Sequence, residues 1–416
     1  MSGVAGFKAY LTVTAAYWAF MLTDGALRML VLLHFHTLGF SPVQLAYLFL
    51  LYEVMGIVTN LSAGWLASRF GLTSTLYAGL AIQIGALLAL AALDPAWGLT
   101  ASVIYVMAVQ GASGVAKDLS KMSSKSAVKL LAPSGDGSLF RWVAALTGSK
   151  NAVKGLGFFI GASLLGIAGF QTAVLFMAAV LSFILLATLL FMPPGLPSGK
   201  KGTKMSAVWP SDPNIRALSL ARVFLFGARD TWFVVGIPVF FYAALSDGTV
   251  EGNRTAFFLI GTFMAAWIIF YGLVQATAPK ILARQTGTVG QTVSAARLWV
   301  GVLTLIPAAL AIAAALTLPG LVPIVVIGLL AFAVVFAFNS ALHSYLILAF
   351  STSERVTLDV GFYYMANAVG RLIGTLLSGL CFQLAGVAGC LAMAAVMAAL
   401  SWLATARLVG RHTQSA

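Results

Sequence analysis

Three charged side chains stand inside a largely apolar run. From Ile215 to Ala244 the chain is long enough to cross a bilayer, which takes roughly 20 apolar residues. It nevertheless carries Arg222, Arg229 and Asp230. A charge at bilayer mid-depth costs about 2.5–3.5 kcal/mol on insertion scales, so these groups must turn toward protein, water or a ligand. Arg222 and Arg229 are seven residues apart and share one helix face. Two readings fit that face. One is an anion site, since the guanidinium fork matches carboxylate and phosphate-like oxygens. The other is a pair of interhelical salt bridges.

Further polar groups fall at similar depth. Asp24 lies near the middle of the first apolar run with Arg28 one turn on, and Glu53 near the middle of the second with Asn60 two turns on. Arg371 is preceded one turn earlier by Asn367; Asn339 and His343 share a helix face; so do Lys150 and Lys154. Arg28, Lys154, Arg222, Arg229 and Arg371 outnumber Asp24, Glu53 and Asp230. An unpaired buried charge is costly, so the surplus predicts a wet cavity that binds an anion. Its candidate substrate-binding residues are Arg28, Lys154, Arg222, Arg229, Asn367, Arg371 and His343. Asp24 and Asp230 stand beside cations, which favour the ionised carboxylate, and read as partners that orient arginines. Glu53 has no basic residue on its own helix before Arg69. It is the candidate for carrying a coupling proton, unless an arginine of another helix holds it. Lys117, Lys121 and Lys125 step by four residues and form either a funnel on the inner side or a solvated basic face.

The elements that position these groups are membrane helices. Of 416 residues 61% are hydrophobic and 8% charged, against about 25% charged in soluble proteins. The apolar runs are too long and too little alternating for a β-barrel. Tyr10–Leu33 is too long for a cleaved signal and reads as a retained first span. The expectation is an all-α membrane protein of twelve transmembrane helices in two pseudo-symmetric six-helix bundles. The first occupies residues 1–192, a cytoplasmic linker 193–212, and the second bundle 213–416. The linker is marked by PPGLPSGKKGTK, Pro193–Lys204, whose Pro, Gly and Lys suit neither a span nor a core.

Basic residues set the orientation. With the N-terminus inside, nineteen Lys and Arg lie on inner loops and helix ends, only Arg254 lies outside, and Arg28, Arg222, Arg229 and Arg371 are within spans. Both termini are therefore expected in the cytoplasm. The net charge of +13 is a topology signal and not a nucleic-acid surface. NAVKGLG (Asn151–Gly157) resembles NAVGRLIG (Asn367–Gly374), as a duplicated half would. Parallel repeats about an axis along the membrane normal are the layout of the major facilitator superfamily, whose mode of action is alternating access. GWLASRFGLTS resembles that superfamily's loop between spans two and three: Gly64, Arg69 and Gly71 fit, while Ser68 stands where an acid is usual and the second basic cluster is missing.

No catalytic constellation is present. A phosphate-binding Gly-Lys-Ser/Thr loop is missing, which argues against ATP hydrolysis, and neither cofactor nor metal is expected. His34 and His36 lack carboxylate or Cys company and are placed in a turn at the membrane surface. Cys381 and Cys390, either side of a short turn, read as apolar fillers.

Four charged stretches carry a closer likeness: YWAFMLTDGALRMLVLLHF (Tyr17–Phe35), AKDLSKMSSKSAVKLL (Ala116–Leu131), GSLFRWVAALTGSKNAVKGLGFF (Gly137–Phe159) and FLFGARDTWFVVGIPVFF (Phe224–Phe241). With these the chain resembles the organoarsenical efflux permeases of the ArsJ type. The resemblance implies export of 1-arseno-3-phosphoglycerate, arsenate resistance, and a functional link to the glyceraldehyde-3-phosphate dehydrogenase that makes the ester. The residues by themselves point only to a small polyanion, and an exchanger or importer of ordinary organophosphates or organic anions fits them as well. An anion leaving a negative-inside cell gains about 2.3 kcal/mol per charge per 100 mV, so efflux needs no coupling proton, and proton exchange stays open.

Overall fold

The computed structural model describes the backbone of residues 3–70, 72–131, 138–192, 209–210, 212–352 and 356–409. Side chains are described there except at 3–10, 63–70, 72, 122, 125–131, 138–148 and 356–357. The loop motif from Gly64 to Gly71, Lys125, and the linker residues 193–208 thus lie outside the described side chains.

Among the described residues the regular structure is helical throughout: α1 (Gly3–Thr37), α2 (Pro42–Phe70), α3 (Leu72–Ala91), α4 (Leu99–Leu131), α5 (Ser138–Ala168), α6 (Phe170–Phe191), α7 (Pro213–Phe233), α8 (Gly236–Leu245), α9 (Val250–Ile281), α10 (Val289–Ala315), α11 (Leu321–Phe350) and α12 (Val356–Thr405). In hydrocarbon each backbone polar group needs an internal partner, and a helix supplies it within one segment. Among the described residues eleven spans are long and apolar enough to cross a membrane, and the chain is a multi-pass membrane protein. The last of them, Leu358–Thr405, has 48 residues, about twice what one crossing takes. Its backbone is non-helical at Ala385 and Gly386, where Gly386 has φ 60°, the conformation in which a Cβ is disfavoured. Cys381 and Cys390 flank this break as free, buried thiols.

Local chemistry sets several helix ends. Asp212 caps α7 by accepting from the Asn214 N–H at 2.8 Å, with Pro213 in the first turn. Thr288 and Gln291 form a reciprocal capping box at the start of α10. Arg297 closes the other end of α12 by donating to the carbonyls of Thr405, Ala406 and Leu408. The first helix runs about a turn past the expected end at Leu33. His34 and His36 are consequently helical and not in a turn, and His34 stacks on Phe170 at 4.1 Å.

The residues group into two compact units. Unit 1 comprises 1–38, 58–206 and 246–268; unit 2 comprises 39–57, 207–245 and 269–416. In unit 1, α1 packs on α4, α5 and α6, and α3 on α4 and α6. In unit 2, α12 packs on α7, α8 and α10, and α10 on α11. Small residues bring the main pairs close. A Cβ on Gly25 of α1 would sit 2.6 Å from the Lys154 carbonyl of α5, and one on Gly374 of α12 would sit 2.8 Å from the Gly227 carbonyl of α7.

Candidate functional site

In each unit this close approach sets a cation of one helix against an aspartate of the other. Lys154 precedes Gly157 of the α1–α5 seam by three residues, and Arg371 precedes Gly374 of the α7–α12 seam by the same distance. In unit 1, Lys154 Nζ donates to the Asp24 carboxylate at 3.1 Å. Spacing on α1 alone made Arg28 the natural partner of Asp24; the pair with α5 shows that packing between helices also enters. Arg28 is buried in the same unit.

Unit 2 holds the remaining charged candidates. Asp230 is fully buried. It accepts from its chain neighbour Arg229 at 2.5 and 2.6 Å and lies 3.4 Å from Nε of Arg371. Arg371 also donates to Glu53 of α2 at 2.6 Å. Glu53 is thus held by an arginine of another helix. Two guanidiniums and two carboxylates here compensate one another.

Arg222 is different. It is 5% exposed. Its Nε donates to Asn367 Oδ1 at 3.1 Å and its terminal nitrogen to the Ser340 hydroxyl at 3.3 Å. Its guanidinium carbon lies 4.0 Å from the Phe226 ring centre and 4.9 Å from that of Tyr363, within cation–π range. Among the described residues no carboxylate pairs with it. A guanidinium has five N–H groups, so three remain to be used. Phe226 also lies 4.7 Å from Arg229, so one aromatic ring serves both cations of α7.

Donors converge on the Ser340 hydroxyl. Tyr271 Oη lies 3.3 Å from it and Gln275 Nε2 donates to it at 3.2 Å, in addition to Arg222. A hydroxyl oxygen has two lone pairs, fewer than the donors around it. Three residues along α11, His343 is fully buried, with neither ring nitrogen hydrogen-bonded. The candidate set therefore divides. Arg28, Lys154 and Asp24 belong to unit 1, while Arg222, Arg229, Asp230, His343, Asn367, Arg371 and Glu53 belong to unit 2.

Sequence reasoning passed over several polar residues. Asp118 of α4 is 1% exposed; it accepts from Thr59 at 2.6 Å and pairs with Lys121 at 3.5 Å. Lys121 also reaches Asn60 at 3.3 Å. The stretch reads as basic because lysines surround its one acid. Ser340, Tyr271 and Gln275 carry no charge and break no pattern. Only Ser340, next to Asn339 and three residues before His343 on α11, adjoined a face already marked as polar.

No family model matches the sequence, and no curated protein matches it. Solved structures do. The chain is similar to the nucleoside transporter NupG in a mutant form, with 15% identity, TM-score 0.70, and coverage of 96% of this chain and 98% of that one. It is similar to a bacterial homologue of the iron transporter ferroportin in an inward-facing state, with 14% identity, TM-score 0.69, and coverage of 95% and 99%. A POT family transporter in complex with 5-aminolevulinic acid gives 14% identity, TM-score 0.69, and 94% coverage of both chains. At such identities the likeness speaks for the fold alone: the chain has the all-helical fold of these solved transporters.

Proposed function

We propose that this protein is a secondary transporter of a small organic anion, bound in unit 2 around Arg222. The observation that carries the reading is a buried guanidinium that, among the described residues, is held by an amide, a hydroxyl and two aromatic rings with no carboxylate. Burying an ion without a counter-ion is costly, and the neighbouring donors at Ser340 are arranged for acceptor oxygens. An anionic guest supplies both the missing charge and the missing acceptors. The break in α12 supports two crossings there, and with them twelve spans in two six-helix bundles joined by the linker at 193–212, with both termini cytoplasmic.

Glu53 is held by Arg371 of another helix, and a neighbouring cation keeps a carboxylate ionised, so the pair reads as a structural ion pair and no coupling proton is assigned to Glu53. Under this reading Glu53→Gln leaves any pH dependence of transport in place; loss of that dependence would return the proton to Glu53.

The finer reading rests on the likeness to the organoarsenical permeases: export of 1-arseno-3-phosphoglycerate across the bacterial inner membrane, downstream of a glyceraldehyde-3-phosphate dehydrogenase. A substrate with arsenate and phosphate ends would place one end on Arg222, while the other would have to displace a carboxylate from Arg229 or Arg371, which Asp230 and Glu53 hold in this structure. Cells expressing the protein with that dehydrogenase should gain arsenate resistance, and inverted vesicles should accumulate the labelled ester. Transport of ordinary organophosphates with no gain in resistance would keep the anion site and discard the arsenical substrate.

A further inference from the structure

We propose that the Arg222 cluster takes an organic anion that also bears a hydroxyl group, and that His343 and Asn339 of α11 read that hydroxyl. This rests on the reading of Arg222 as an anion site and adds a second requirement to it.

The argument is a count of donors and acceptors. Ser340 of α11 accepts from Arg222, and His343 follows it by three residues, on the same side of the helix. Asn339 lies one turn before His343. Both are fully buried. The Asn339 amide nitrogen donates to the Val335 carbonyl at 2.9 Å, and its Oδ1 has no hydrogen-bond partner. Neither nitrogen of His343 has one. An imidazolium here would place a second positive charge near Arg222 at low dielectric, where like charges repel strongly. The ring is therefore taken as neutral, with one N–H and one lone pair.

The open groups are then of two kinds. Arg222 and one His343 nitrogen offer hydrogen atoms. The other His343 nitrogen and Asn339 Oδ1 need them. A fully ionised phosphate ester or carboxylate only accepts, so it serves the first kind and leaves the second buried and unmade. Each such loss costs about 1–3 kcal/mol. A hydroxyl on the same molecule donates to one of these acceptors. Sites built around a hydroxyl reject the analogue that lacks it far more strongly than apolar pockets reject an added group. The imidazole is sealed in this conformation, so contact with the ligand belongs to another stage of the transport cycle.

Glycerol phosphate and propyl phosphate have the same charge and differ only in hydroxyl groups. Their affinities for the purified full-length protein are measured by calorimetry in detergent. Wild type is expected to bind glycerol phosphate at least about ten-fold more tightly, the size of one unmade buried hydrogen bond. Asn339→Leu and His343→Leu should each shrink that preference while propyl phosphate still binds, and His343→Asn, which keeps a donor and an acceptor, should retain more of it. Equal affinity in wild type, or a preference undiminished in both leucine variants, overturns the inference and leaves the anion site standing. Binding of neither compound, or binding indifferent to Arg222→Met, overturns the anion reading and this inference with it. The wild-type comparison decides the matter even where a variant does not fold.

Discussion

The α1–α5 seam and the α7–α12 seam solve the same problem with different charge balances. Both bring glycine against the facing helix, and both place a cation three residues before that glycine, paired with an aspartate across the seam. In unit 1 the cation is Lys154, whose side chain is 15% exposed, beside Asp24 at 2%. In unit 2 two arginines crowd Asp230, Glu53 balances the second, and Arg222 stands about two turns earlier along α7 with aromatic and neutral polar company. The first seam holds a compact ion pair that stabilises helix packing. The second carries a cation that packing alone does not explain. The difference in charge between the two seams is the ground for the proposal that an anion binds in unit 2, around Arg222.

This contrast can be broken by mutation. The largest effect is expected at Asp230. Asp230→Asn leaves Arg229 and Arg371 to share one remaining carboxylate, and breaking a buried pair costs about 3–5 kcal/mol. Thermal unfolding in detergent should show a clearly larger loss than for Asp24→Asn, because there a single lysine, its side chain 15% exposed, loses its partner and its flexible amine can turn toward solvent. Equal losses would remove the distinction between the seams.

Next in size is the glycine contact. Gly374→Ala puts a Cβ 2.8 Å from both Asp230 Cβ and the Gly227 carbonyl, and overpacking of this kind costs about 1–3 kcal/mol. The variant should lose stability and transport together, since the shift falls on Asp230 itself. Gly25→Ala meets the Lys154 carbonyl at 2.6 Å and should lose stability by a similar amount. A wild-type melting temperature in either variant would show that the helices have room to part.

A smaller effect is expected at the end of α12. Arg297 reaches the carbonyls of Thr405, Ala406 and Leu408, while Asn214 and Val409 exchange two bonds at 3.0 and 3.3 Å. Arg297→Ala should cost about 1–2 kcal/mol, the worth of charge-assisted bonds at a helix terminus, without altering ligand affinity. Changed affinity would make Arg297 part of the ligand path and weaken the confinement of binding chemistry to the Arg222 region.

The all-helical, membrane-spanning character was legible in the sequence because a bilayer demands long apolar runs. The ends were less so: α1 continues past Leu33 since His34 packs its ring on Phe170 instead of breaking the helix. Charged members of the site were legible because a charge in an apolar run is conspicuous. Their pairing was not. Glu53 finds its partner 318 residues away in Arg371, and Asp24 meets Lys154 across 130 residues, distances that helix periodicity cannot reach. Neutral contributors such as Ser340 and Gln275 were illegible for the opposite reason: serine and glutamine satisfy themselves locally in many helices, and only the fold shows that three donors meet at one hydroxyl.

The direct test of the central claim is thermal unfolding of purified wild type and Arg222→Met, each with and without glycerol phosphate. An uncompensated buried cation replaced by a methionine of similar reach should leave the ligand-free protein as stable or more stable. The wild type should melt higher with ligand, and the variant should not respond, as linkage requires of a lost binding site. A variant that melts several degrees lower without ligand, yet gains as much from glycerol phosphate as the wild type does, would show Arg222 to be a structural strut and the anion to bind elsewhere.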